Sequence, residues 1–173
     1  MGFVFAKSRR QVSPAAARRL RAALDPGILA VGVFVDPDPA QVLALTEDGT
    51  IDLVQLHGAE DEGFIRLIKE TTGRPVIKAV SVARAGDAAR WRTSAADYLL
   101  LDNGPGGTGR TFDWSVLEEL DRPFFLAGGL CEENIPAALR LSPYCLDVSS
   151  GAETGGQKDR DKIKRIVEMV RKG

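Results

Sequence analysis

The chain has 173 residues, 44% of them hydrophobic and 27% charged, the balance of an ordinary soluble globular protein of one domain. That composition excludes a disordered chain, a collagen-like repeat and a disulfide scaffold. The 23 Lys+Arg against 24 Asp+Glu leave a formal charge of −1, without the basic excess that marks a nucleic-acid binder.

Two cysteines, Cys131 and Cys145, make no disulfide framework and point to a reducing cytoplasm. The longest apolar run, Ile28 to Val35, is far short of a membrane span, so no membrane partner is expected. Met1 to Lys7 carries no charged leader before its apolar residues and does not read as a secretory signal. Ala6 stands where a myristoylation motif needs Ser or Thr.

Apolar runs rich in Val, Ile, Leu and Phe predict strands at Phe3–Ala6, Leu29–Val35, Leu53–Leu56, Val76–Val80, Tyr98–Leu101, Phe124–Ala127 and Cys145–Val148. Helical spacing fills the intervals. Ser13-Pro14 opens a helix, with Ser as N-cap and Pro at the first helical position. Glu60 to Thr71 reads as another, ended by Gly73 and Pro75. The last is the clearest: Ile163, Ile166, Val167 and Val170 form an i, i+3, i+4, i+7 row, with charged residues opposite.

Strand then helix, seven times over, requires parallel strands, because each crossover carries the chain back. The strands are apolar almost throughout, as strands buried on both faces are. A closed (β/α) barrel needs eight units. A doubly wound sheet would place its glycine motif early, whereas here the glycines come late. The expected fold is therefore α/β: a TIM-type (β/α) barrel missing its first βα unit, with seven parallel strands and seven helices. Residues 1–173 form a single, partial domain.

In such a barrel the chemistry sits where the strands end. The residues there are Lys7-Ser8-Arg9-Arg10, Asp36, Gln55 with His57-Gly58, Lys78, Asp102, Gly128-Gly129 and Ser149-Ser150-Gly151. Glycine turns let backbone N–H groups approach an anion, and a following helix adds its dipole. Gly128-Gly129 and Ser149-Ser150-Gly151 thus suit a phosphate, or else only make tight turns. Asp102 closes a buried strand, where partial desolvation would suit a general acid; it could equally cap backbone. His57 is the only histidine, so a His-based metal cluster is excluded. It faces the site or serves as a hydrogen-bonded structural residue. Arg10 is suited to a bidentate carboxylate contact, with Lys7 and Arg9 solvated. Cys131 follows the glycine pair and is expected near the rim. Cys145, at a strand start, is expected to be packed, and Phe112 and Trp114 to pack in core or loop. Gly104-Pro-Gly106-Gly107-Thr108-Gly109 contains G-x-G-x-x-G, but the next strand ends without an acidic residue, so a dinucleotide site is disfavoured. A loop able to exclude water fits better.

Taken together, Gly32-Val33-Phe34-Val35, Val54-Gln55-Leu56-His57-Gly58-x-Glu60, Leu100-Leu101-Asp102, Gly106-Gly107-Thr108-Gly109-x-x-Phe112-Asp113-Trp114, Leu126-Ala127-Gly128-Gly129-Leu130-x-x-Glu133-Asn134 and Asp147-Val148-Ser149-Ser150-Gly151-x-Glu153 resemble the phosphoribosylanthranilate isomerases of tryptophan biosynthesis. The resemblance runs from Gly2 to the C-terminus. It implies an Amadori rearrangement of a phosphorylated small molecule, without metal or cofactor. It implies Asp102 as general acid and Arg10 on the anthranilate carboxylate. It implies phosphate on the backbone around Gly128, Gly129, Ser149, Ser150 and Gly151, and Gln55, His57 and Asp147 lining the site. Gly106, Gly107 and Gly109 fall on the family's glycine-rich loop. Family members open with a strand carrying Lys-Ile-Cys-Gly, whose Cys is the general base. These residues begin at the second strand, and none of them matches that Cys. Cys131 lies beside the phosphate turn, away from the sugar carbon that loses its proton. The expectation is an isomerase by descent. The alternatives are a catalytically impaired binding remnant, or a fragment completed by another chain, or a homo-oligomer, through its open strand edges.

Overall fold

The computed structural model describes residues 1–82, 84, 86–102, 114 and 120–172. Gly106, Gly107, Gly109 and Phe112 lie outside the described residues. The described chain divides into two compact units: Met1–Ala79 with Ser94–Tyr98, and Val80–Thr93 with the chain from Leu99 onward.

The first unit holds β1 (Gly2–Val4), α1 (Pro14–Ala23), β2 (Val31–Phe34), α2 (Pro39–Glu47), β3 (Leu53–Leu56), α3 (Glu62–Thr72) and the start of β4 (Val76–Ser81). Its strands neighbour one another in chain order, every pairing parallel, with Val31 opposite Leu53 and Val54 opposite Val76. Strand and helix alternate as the apolar runs predict. The N-caps are also legible: the Ser13 hydroxyl accepts from Ala16 N–H at 3.2 Å, and Asp38 and Asp61 cap α2 and α3 in the same way. Each cap satisfies an amide that the first helical turn leaves unpaired. The core is aliphatic, with Val42, Ile51, Val54, Leu56, Ile65, Ile68 and Ile77 fully buried. Phe5 stacks on Phe34 at 5.1 Å between ring centroids. The outer side of β1 is partly taken up by its own following loop: Val4 bridges to Gln11, and Val12 N–H donates to Val4 O at 2.9 Å.

The second unit contains β5 (Tyr98–Asp102, from Leu99), β6 (Phe124–Leu126), α4 (Ile135–Leu139), β7 (Cys145–Leu146) and α5 (Arg160–Lys172). β5, β6 and β7 pair in parallel, with Leu99 opposite Phe124 and Phe125 opposite Cys145. A short antiparallel pair, β8 (Glu153–Thr154) and β9 (Gln157–Lys158), precedes α5. One cluster gathers Val80, Val82, Leu99, Leu101, Phe124, Leu126 and Leu130, with Trp91 and Trp114 against it. A second joins Ile135, Ala152 and Ile166. The predicted row on α5 is present, although Ile166 alone of it is fully buried.

The structure corrects the sequence reading at several points. Five α-helices stand among the described residues rather than seven. Between β4 and β5 the described residues hold only a 3-10 turn at Ala89–Trp91, in a stretch rich in Ala and Arg without an apolar row, and most of the β5–β6 connection lies outside the described residues. α3 begins at Glu62, not Glu60, because the Glu60 side chain turns inward. Cys145 is exposed rather than packed, since β7 is only two residues long.

Candidate active site

The site residues of the first unit lie within β3 and β4 or in the loops that follow β1, β2 and β3. In the loop after β1, Arg10 is half-buried while Lys7 and Arg9 are exposed. Its backbone N–H is held by Ser8 Oγ at 3.2 Å. This singles out Arg10 as the cation that keeps its head out of bulk water, the condition under which a guanidinium–carboxylate pair is strong.

Gln55, in β3, is 6% exposed, and its Nε2 lies 3.1 Å from His57 Nδ1. His57 is half-buried. Lys78 does not stand open at the strand end. It is 2% exposed and meets Glu60 Oε2 at 2.7 Å, also donating to Gly58 O at 2.7 Å. The Glu60 carboxylate further accepts from the backbone N–H groups of Asp36 at 2.8 Å and Gly58 at 2.9 Å. Asp36 adopts φ 45°, and its own carboxylate accepts from Ala59 N–H at 2.8 Å. One buried ion pair thus ties the ends of β2, β3 and β4 together, with the ammonium and both carboxylate oxygens hydrogen-bonded. Sequence reasoning placed Glu60 on a helix and Lys78 at the rim, and missed their union.

In the second unit, Asp102 is the last residue of β5 and is half-buried behind the fully buried Leu99, Leu100 and Leu101. Its backbone carbonyl accepts from Val82 N–H at 2.9 Å. After β6, Gly128 and Gly129 take φ 88° and 65°, left-handed values that glycine adopts without strain. Asn134 fixes this turn from its far side: its Oδ1 accepts from Cys131 N–H at 2.9 Å and its Nδ2 donates to Gly129 O at 3.0 Å. After β7, Asp147 is exposed, and its N–H donates to Leu126 O at 2.8 Å. Ser149 leads into the 3-10 turn Ser150–Ala152. The two turns touch: a Cβ on Gly151 would collide with the Leu130 carbonyl. α4 is only five residues long, so a helix dipole adds little here, and the turn amides are the groups that suit an anion.

Lys158, which the sequence reading did not single out, donates from Nζ to Ser149 O at 2.7 Å and pairs with Glu153 at 3.2 Å. It anchors the second turn to the β8–β9 hairpin. Burial pushes the Cys131 thiol above its ordinary value, and a hydrogen bond to the Glu133 carboxylate adds to the effect. Among the described residues, no helix is long and apolar enough to cross a membrane.

The family model of N-(5'-phosphoribosyl)anthranilate (PRA) isomerase matches residues 1–169. The chain belongs to the phosphoribosylanthranilate isomerase family. An N-(5'-phosphoribosyl)anthranilate isomerase of Endomicrobium trichonymphae is 47% identical over 175 aligned positions, spanning 98% of this chain and 86% of the relative. The crystal structure of the Thermus thermophilus phosphoribosyl anthranilate isomerase superposes with a TM-score of 0.88 at 35% identity, over 99% of this chain and 86% of that one. A phosphoribosyl anthranilate isomerase in complex with reduced 1-(o-carboxyphenylamino)-1-deoxyribulose 5-phosphate superposes at 0.85 with 38% identity, over 99% of this chain and 87% of that one.

Proposed function

We propose that the chain isomerises N-(5'-phosphoribosyl)anthranilate to 1-(2-carboxyphenylamino)-1-deoxyribulose 5-phosphate, a step of tryptophan biosynthesis. The observation that carries this reading is the family match over residues 1–169, which takes in every strand end described above. The proposed compartment is the cytoplasm, in keeping with two free thiols.

In this reading Asp102 is the general acid. Its carboxyl group protonates the furanose ring oxygen, the C1–O bond breaks, and the ring opens to a Schiff base. A general base then removes the proton on C2, and the resulting enolamine becomes the ketone. Arg10 holds the anthranilate carboxylate, and its half-buried position beside exposed Lys7 and Arg9 supports that choice. The backbone of Gly128, Gly129, Ser149, Ser150 and Gly151 cradles the phosphate, a role supported by the left-handed turn and the touching backbones. Gln55, His57 and Asp147 line the substrate. Gly106, Gly107 and Gly109 belong to a loop that shields it from water.

The base is the family's Cys on the Lys-Ile-Cys-Gly strand, which has no counterpart among these 173 residues. Cys131, beside the phosphate turn, is not proposed in its place. The test is an isomerase assay of the chain with and without an added N-terminal segment bearing that strand. Turnover that rises by orders of magnitude with the segment is expected; equal turnover in both would refute the placement of the base.

A second reading is a remnant that binds product but turns over slowly. Calorimetry showing product binding without isomerisation, even with the segment supplied, would favour it. A third has the strand edges completed by another copy, and elution as a compact monomer in size exclusion with light scattering would count against it.

A further inference from the structure

Gln55 approaches one of the two nitrogens of the His57 ring. Gln55 Nε2 is an amide nitrogen with protons to give and no lone pair to offer. Standing 3.1 Å from His57 Nδ1, it is placed to donate to that nitrogen. A neutral imidazole that accepts at Nδ1 holds its proton at Nε2.

The backbone beneath the ring is held on every side. His57 N–H donates to Phe34 O at 2.8 Å. The next residue, Gly58, gives its N–H to Glu60 Oε2 at 2.9 Å, and its carbonyl accepts from Lys78 Nζ at 2.7 Å. A Cβ on Gly58 would stand 2.5 Å from Asp36 Oδ1, so only glycine allows this approach. Glu60 and Lys78 are each 2% exposed, which keeps water from competing for these bonds. The imidazole therefore projects from a turn with little freedom, beside the Gln55 amide.

We propose that Gln55, backed by the buried Glu60–Lys78 pair, is a positioning residue that locks His57 in the neutral tautomer protonated at Nε2. His57 then meets the substrate as a hydrogen-bond donor to an oxygen, not as a base at Nδ1. The identity of that oxygen, on a carboxylate, hydroxyl or ketone of the substrate, rests on the proposed function; the tautomer does not.

His57 is the only histidine of the chain, so a long-range proton–nitrogen correlation spectrum of the untagged, nitrogen-15-labelled protein at neutral pH reports this ring alone. The expected spectrum has a pyridine-like Nδ1 and a pyrrole-like Nε2. Gln55→Glu replaces the donor with an acceptor and is expected to make Nδ1 pyrrole-like. Gln55→Met removes the donor without supplying an acceptor and is expected to give averaged nitrogen shifts from mixed tautomers. Both are read on protein with a cooperative thermal transition. Should neither fold, the unmodified protein still decides: a pyrrole-like Nδ1, or averaged nitrogens, overturns the proposal. A Gln55→Glu protein that folds and keeps the original pattern overturns it as well. An Nε2-protonated ring in a chain that shows no isomerase activity even with the added strand leaves this inference standing and refutes the functional reading instead.

Discussion

Gly151 packs so closely on the carbonyl of Leu130 that no Cβ fits between them. Two turns from consecutive strands, β6 and β7, are thereby pressed into one surface of backbone amides. Gly151→Ala is expected to force the turns apart, at about 1–3 kcal/mol of stability for an overpacked site. The KM for the phosphorylated substrate is expected to rise alongside. Urea denaturation and steady-state kinetics check both, and an unchanged midpoint would show that the backbones do not need this contact.

The Glu60–Lys78 pair is 2% exposed on both sides, so removing one partner strands a charge in the interior. Lys78→Met is expected to cost about 3–5 kcal/mol, while Glu60→Gln combined with Lys78→Met costs clearly less, because no charge is then left alone. Equilibrium unfolding of the two variants separates these outcomes. Equal losses would mean that the pair matters for shape and not for charge.

Asp102→Asn keeps the size of the side chain at the end of β5 but removes the acid. The expected loss is roughly 10²–10⁴-fold in kcat with KM little changed, since proton donation acts in the transition state. Equal turnover by the variant would take the acid role away from Asp102.

Arg10→Ala is expected to weaken binding of the anthranilate moiety by about 1.5–3 kcal/mol, the range for a hydrogen bond to a charged group. Calorimetric titration with the product measures it. Unchanged affinity would move the carboxylate contact to Lys7 or Arg9.

Stability in acid should depend on Glu132. Arg165 grips its carboxylate through two bonds, of 2.7 and 2.9 Å, and holds it below the usual carboxylate range. A carboxyl whose native value is depressed stabilises the fold above its unfolded value and loses that contribution as pH falls through the native one. Glu132→Gln is expected to flatten the decline of Tm between neutral and acidic pH. Parallel curves for variant and parent would show that the pair contributes nothing.

The strands and the caps were written in local sequence. Continuous runs such as Tyr98–Leu101 can only be buried on both faces, and Ser13-Pro14 caps α1 as its residue types dictate. What stayed illegible depended on partners distant in the chain. Glu60 continues a helical pattern by spacing, yet it turns inward to Lys78, 18 residues away. Lys158 reads as one more surface lysine until the hairpin folds it onto Ser149. The Gly151–Leu130 contact has no trace in composition, because a close approach of two backbones needs only the absence of a side chain. Between β4 and β5 the expected helix shrank to one turn, for want of an apolar face to bury.

The most direct measurement is product formation from N-(5'-phosphoribosyl)anthranilate by this chain together with the Cys-bearing first strand, beside its Asp102→Asn counterpart. The account predicts rapid rearrangement by the parent and near-complete loss in the variant. No rearrangement by the parent, or the same rate from both proteins, would contradict it.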